Sequence, residues 1–188
     1  MIHTYKNTLI VGFEYPQPLR RSVWPWLSRH GVLGKVSLDG SAIHENVRPM
    51  HRSPYLCARN TAVRDVILKL ADKYEWAILI NNDITPTESS HKFLELDADL
   101  KSCECRLAVP DAFKGENAFH LALSCVRIEV FRQMQPPWFA WTYSDDGCEL
   151  LECDCQRFAR RAMELGFKVA HGGNCSHNHL GAECCPPG

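Results

Sequence analysis

The sequence carries no concentration of positive charge. Its formal net charge is −1, with acidic and basic residues mixed along 188 positions, so the basic stripe by which a protein holds nucleic acid is absent. An export signal is missing too: "MIHTYKNTLIVGFEYPQ" contains Lys6 and only a brief apolar patch, not an apolar core of about seven residues or more. No apolar run approaches the ~20 residues of a bilayer-crossing helix. These absences predict a cytoplasmic protein with no membrane span and no nucleic-acid partner. Internal repeats and low-complexity blocks are also lacking. The ten cysteines include no paired CxxC motif, the spacing that most strongly marks zinc. Without an export signal, reduced thiols are the expectation.

What is present points to an α/β protein. "WAILINNDITPT", Trp76 to Thr87, opens on residues apolar at every position, which suits a strand covered on both faces in a parallel sheet. Asn81, Asn82 and Asp83 then fall at its carboxyl end, the edge where open α/β sheets bind ligands. "TLIVGF", Thr8 to Phe13, reads as a first buried strand, and "RRSVWPWLSRHG" as a short helix closing at Gly31. "GKVSLDGS" reads as a second strand ending in the turn formers Asp39-Gly40-Ser41. Val63, Val66, Ile67, Leu70 and Tyr74 recur at helical spacing and predict an amphipathic helix over 60–74. Strand, helix, strand, helix, strand by residue 83 is the alternation that builds a parallel sheet with helices on its faces.

Further on, "CRLAVPD" and "NAFHLALSCV" read as strands, the second with Phe119, Leu121 and Leu123 on one face. "RIEVFRQM" reads as a short helix that stops before Pro136-Pro137. A last helix is expected over 154–165, with the stripe Cys155, Phe158, Ala162 and Leu165, and Gly166 in a left-handed cap. A chain of this length is expected to form a single domain spanning 1–188.

Taken singly, the acidic positions have simple explanations. Asn81-Asn82-Asp83 suits a turn, Asp154 suits the N-terminus of a helix, and His177 and His179 suit a surface loop. Their joint order suggests more. "SLDGSA" resembles the Asp-Gly-Ser turn, "LCARNTAV" the Ala-Arg-Asn helix opening, and "AILINNDITP" the strand and Asp-x-Asp motif of glycosyltransferases of the GT-A fold, close to the family 2 type. "DCQRFARRAMELGFKV" resembles that family's Glu-Asp-x-x-Phe-x-x-Arg-Ala-x-x-x-Gly segment, and "HNHLG" carries the histidine that follows it. The resemblance spans most of the chain.

It implies a GT-A, Rossmann-like fold: a mostly parallel central sheet with helices on both faces, residues 1–83 forming the nucleotide-binding half and 84–188 the acceptor and catalytic half. It implies transfer of a sugar from a nucleotide-diphosphate sugar to the hydroxyl of a glycan, lipid or protein acceptor, with inversion at the anomeric carbon. Asp39, Arg59, Asn60, Asn81 and Asp83 would bind the donor, and Asp154 would be the general base. Asp83 and His179 would hold Mn²⁺ or Mg²⁺, which neutralises the leaving pyrophosphate. Hard cations take carboxylate oxygen, and Mn²⁺ accepts imidazole.

This sequence departs from the family at Asn81, where the stricter motif has aspartate, and at Asp154-Cys155, where it has Glu-Asp. Glu152, Asp145 and Asp146 are therefore rivals for the base. The chain ends nine residues past His179, so no C-terminal acceptor domain or membrane anchor is expected. Trp24 and Trp26 are expected in the core. Trp138 and Trp141, in the loop before the base, are expected to stack on an acceptor sugar. The departures raise a second reading, an inactive relative that binds a nucleotide or a protein. A third is an interaction module stabilised by zinc on Cys153, Cys155, Cys175, His177, Cys184 and Cys185.

Overall fold

β1 (Thr8–Phe13) is buried at all six positions, as an uninterrupted apolar run requires when both faces of a strand are covered. It lies between β2 (Val47–Met50) and β3 (Trp76–Asn81), parallel to both. The computed structural model describes residues 5–14, 18–33, 46–50, 55–106 and 119–177. The expected strand "GKVSLDGS", with Asp39, lies outside the described residues.

β4 (Ile84–Pro86), β5 (Leu100–Arg106), β6 (Leu123–Arg127) and β9 (Val169–His177) complete a seven-stranded sheet in the order β2-β1-β3-β6-β5-β9-β4. β7 (Thr142–Tyr143) and β8 (Leu150–Glu152) form a separate hairpin. The architecture is α/β, but the sheet is mixed. β6 runs antiparallel to both β3 and β5, and β4 antiparallel to β9. The apolar run of β3 therefore signals burial on both faces and leaves the direction of its second neighbour open. Strands from residues 1–83 and from 84–188 share the one sheet.

Alternate residues of the same strands feed two cores. Leu9, Val11 and Leu79 point to one side, where they meet Ala62 of α2 (Tyr55–Ala62), Phe131 of α3 (Ile128–Gln133) and Phe158 of α4 (Asp154–Glu164). Ile10, Ile78 and Ile80 point to the other, where α1 (Val23–Arg29) contributes Val23 and Leu27. Helices thus cover both faces. Pro25 stands in the first turn of α1, where its missing N–H would find no helical acceptor. Gly31 follows that helix at φ 67°.

Several boundaries differ from those expected. The helix predicted over 60–74 begins at Tyr55 and continues beyond α2 as a π turn, Val63–Ile67, and a 3₁₀ turn, Leu68–Leu70. Tyr74 is buried beyond the helical turns, so its periodicity reports burial rather than helix. The strand expected in "NAFHLALSCV" begins only at Leu123. Phe119 and Leu121 belong to the first core and Leu123 to the second, because the chain turns at 121–122. "CRLAVPD" overlaps β5 only at its first residues, the rest lying outside the described residues. In α4, Cys155, Phe158 and Ala162 are buried as the stripe requires, whereas Leu165 is 45% exposed past the helix end.

β9 has no counterpart among the sequence expectations, since His, Gly, Asn and Ser are poor strand formers. It pairs on both sides, with β5 and β4, and it carries a register shift around Gly173. Gly173 has φ 70°, and a Cβ there would lie within 3 Å of the Ser89 carbonyl oxygen. The hydroxyl of Ser90 donates to the Asn174 carbonyl at 2.6 Å and the Asn174 N–H to Ser89 Oγ at 3.1 Å. A docked loop, rather than strand propensity, fixes this segment.

Candidate functional site

Three distant pieces of sequence meet at the carboxyl end of β3. α2 places Arg59 there, β3 ends in Asn81, and α4 begins with Asp154. Arg59 Nη1 donates to Asp154 Oδ2 at 2.5 Å, and Nη2 donates to Asn81 Oδ1 at 3.4 Å. All three residues are buried, at 1%, 4% and 5% exposure. The Arg59 guanidinium lies 5.8 Å from the ring centroid of Phe13 and 5.7 Å from that of Phe139, within cation–π range. A planar, permanently charged guanidinium suits such a position, because it forks between two acceptors while its faces rest on aromatic rings.

The start of α4 adds sulfur. Cys153 is the N-cap: its Sγ accepts the Gln156 backbone N–H, and its own N–H donates to Gln156 Oε1 at 3.3 Å, closing a capping box. Cys155 Sγ donates to Asp154 Oδ1 at 3.7 Å and receives Arg59 Nη1 at 3.8 Å. The neighbouring Cys155 sulfur holds the Cys153 thiol down to about 7, a shift of the kind seen at helix N-termini. The same interaction between the two thiols, together with burial, pushes Cys155 well up. One sulfur is thus readied as acceptor and the other kept as donor. Neither local propensity nor spacing signals this arrangement. The Cys-x-Cys pattern was visible, but its contact with Arg59 spans 96 positions.

Asn60 is taken up by structure. Its Nδ2 donates to the carbonyls of Leu56 and Phe139, and its Oδ1 accepts the Phe139 N–H at 3.1 Å, so it fastens the loop after α3. Asp83 lies half-buried in the turn between β3 and β4. It offers the oxygen donor that Mn²⁺ and Mg²⁺ prefer. His179 lies outside the described residues.

Two of the three rival carboxylates, Asp146 and Glu152, are occupied as well. Asp146 accepts Ser144 Oγ at 2.5 Å and the Cys148 N–H at 3.0 Å, which builds the β7–β8 turn and lowers its pKa. Glu152 is paired with Arg160 at 2.8 Å, and Asp145 is exposed.

Trp138, expected to stack on an acceptor sugar, lies in the first core at 7% exposure, and its indole N–H donates to the Phe131 carbonyl at 3.0 Å. Trp141 is half-buried, edge-on to Tyr143 with centroids 6.4 Å apart. Trp26 is core, as expected, and Trp24 packs partly buried against the same cluster. Cys175 is buried in the second core, beside Cys103, whereas Cys155 belongs to the first. The sheet therefore separates Cys175 from Cys153 and Cys155, and a zinc site uniting the three is excluded. Cys184 and Cys185 lie outside the described residues.

No helix among the described residues is long and apolar enough to cross a membrane. No family model and no curated protein matches the chain. Among solved structures, the crystal structure of A197 from STIV is similar at 12% identity, over 90% of this chain and 81% of that one. Its TM-score of 0.49 is too low for the likeness to carry any argument about fold or activity.

Proposed function

We propose that the protein is a glycosyltransferase of the GT-A type that moves a sugar from a nucleotide-diphosphate donor to an acceptor hydroxyl, with inversion. The observation that carries this reading is the convergence of Arg59, Asn81 and Asp154, which come from three motifs of the family resemblance and are joined by hydrogen bonds across 95 and 22 positions. Their place at the carboxyl end of a buried strand favours a ligand-binding role, as it does in open α/β sheets. Asp83, two residues past Asn81, would hold Mn²⁺ or Mg²⁺ together with His179. Bound there, the ion would supply Lewis-acid neutralisation of the leaving pyrophosphate.

In this reading Arg59 holds the Asp154 carboxylate by Oδ2, leaving Oδ1 to take the acceptor proton once the Cys155 thiol turns aside. A carboxylate held so has one orientation, which serves attack from the face opposite the leaving group. Donor screening by thermal shift tests the proposal. One nucleotide sugar should raise the melting temperature with Mn²⁺ present, and Asp83→Asn should abolish the metal-dependent part. No shift with any nucleotide sugar would overturn it.

The burial of Asp154 favours a second reading, a relative that keeps the scaffold without transfer. The two part at Asp154→Asn. A general base predicts transfer reduced by about 10² or more with donor affinity kept. A purely structural pair predicts lost stability in a chain that has no transfer to lose.

A further inference from the structure

We propose that Cys153, Asp154 and Cys155 form a binding site for one thiophilic divalent cation of the zinc class, separate from the Asp83 edge; the ion takes Asp154 Oδ1, the oxygen that the transferase reading gives to the base, so metal bound here withholds that base. Cys153 Sγ, Cys155 Sγ and a carboxylate oxygen of Asp154 all lie within 4.8 Å of one another. In a tetrahedral zinc site with Zn–S near 2.3 Å, neighbouring ligand atoms stand about 3.7 Å apart. Closing the triangle onto an ion thus asks for shifts of about an ångström, which side-chain rotations supply.

The orientation is already suitable. Asp154 Oδ2 is turned to Arg59, and Oδ1 faces the Cys155 sulfur at 3.7 Å. The ion takes the place of the thiol proton between that sulfur and Oδ1. Two thiolates and a carboxylate favour zinc or cadmium over magnesium or manganese, which seek oxygen.

Charge decides whether a buried site can accept an ion. Asp154 and Arg59, at side-chain exposures of 6% and 1%, form a neutral pair, and the two thiols in their protonated form add nothing. Binding releases two thiol protons and brings in two positive charges, so two thiolates, one carboxylate, one guanidinium and the ion again sum to zero. The exchange is electroneutral, and it avoids the cost of burying a net charge. Cys153 is partly exposed and Cys155 buried, so the ion enters past Cys153, and the fourth position faces that opening for water or an external ligand, as in open zinc sites.

The purified 188-residue chain, reduced and freed of metal, supplies two tests, neither of which needs a nucleotide sugar. Iodoacetamide labelling with peptide mass spectrometry, with and without one equivalent of Zn²⁺, uses the unaltered protein. Zn²⁺ should slow modification of Cys153 about tenfold or more, since a metal-bound thiolate is withheld from alkylation. The exposed Cys57 and Cys148 serve as internal controls and should react unchanged. In the second test, Cd²⁺ titration is followed by thiolate-to-cadmium charge-transfer absorption. The first equivalent should give the signal in the parent chain and lose it in Cys153→Ser and in Cys155→Ser. Equal labelling of Cys153 with and without Zn²⁺, or a first cadmium equivalent untouched by both substitutions, would overturn the site.

Discussion

Two cations are buried on opposite faces of the same sheet, and they are accommodated differently. Arg59, in the first core, is 1% exposed and bonded to Asp154 and Asn81. Lys101 of β5 is 4% exposed and stands beside Cys125 in the register, on the second face. Its Nζ lies 4.7 Å from the Trp76 ring centroid and donates to the Leu94 carbonyl at 3.4 Å. Burial pushes the Lys101 pKa down, against the pull of Asp97 and Asp99. An ammonium can relieve burial by giving up its proton, whereas a guanidinium cannot and must be matched by a carboxylate. Arg59 is thus held in a buried pair with a carboxylate, whereas Lys101 rests on an indole ring and reaches a backbone carbonyl.

The largest effect is expected from breaking the pair. Asp154→Ala leaves the Arg59 guanidinium uncompensated in the core and should cost about 3–5 kcal/mol in urea unfolding. Replacing both residues by leucine should recover most of that loss. A loss below about 1 kcal/mol in the single variant would mean that Asp154 does not anchor this face. Next comes Gly173→Ala beside β5, where φ is 70° and the added carbon meets the Ser89 carbonyl. Strain of roughly 1–3 kcal/mol follows from the backbone alone. Unchanged stability would show that the loop at Ser89 yields freely.

Lys101→Met should be much milder, within about 1.5 kcal/mol, because it keeps the volume and removes a charge already disfavoured. A lowered folded pKa means that the unfolded chain binds more protons below 10.5. Stability then rises with pH toward that value and is lost as pH falls through the folded value. Lys101→Met should flatten this alkaline slope. An unchanged slope would place its origin elsewhere.

The smallest effect is expected at His30, stacked on His91 with ring centroids 4.6 Å apart in a cleft of about 380 Å³. Burial lowers its pKa below 6.5, helped by His91 and Arg29 and opposed by Glu95. The neutral ring is favoured in the fold, so stability present above 6.5 is lost as pH falls through the folded value. His30→Phe should reduce the acid-side drop in melting temperature; an equal drop would exonerate the pair.

Local sequence was most informative where one element explains itself. β1 and β3 are apolar at successive positions, α3 lies between its residue boundaries and a double proline, and α4 has its capping position, its stripe and Gly166 at φ 87°. β9 and the direction of β6 were not legible. β9 owes its strand to neighbours on both sides and to the loop that docks on Gly173, and direction leaves no mark on a run of apolar residues.

The candidate site divides the same way. The motif residues Arg59, Asn81 and Asp154 were identifiable one by one, as were the neighbouring Cys153 and Cys155, because side-chain chemistry is written in the residue itself. Only the tertiary structure joined Arg59 to Asp154 over 95 positions and turned Trp138 into core. It also set Cys175 on the opposite side of the sheet from Cys155. Those outcomes depend on which elements pack together and on which face a strand presents, and burial, charge pairing and access follow from that packing.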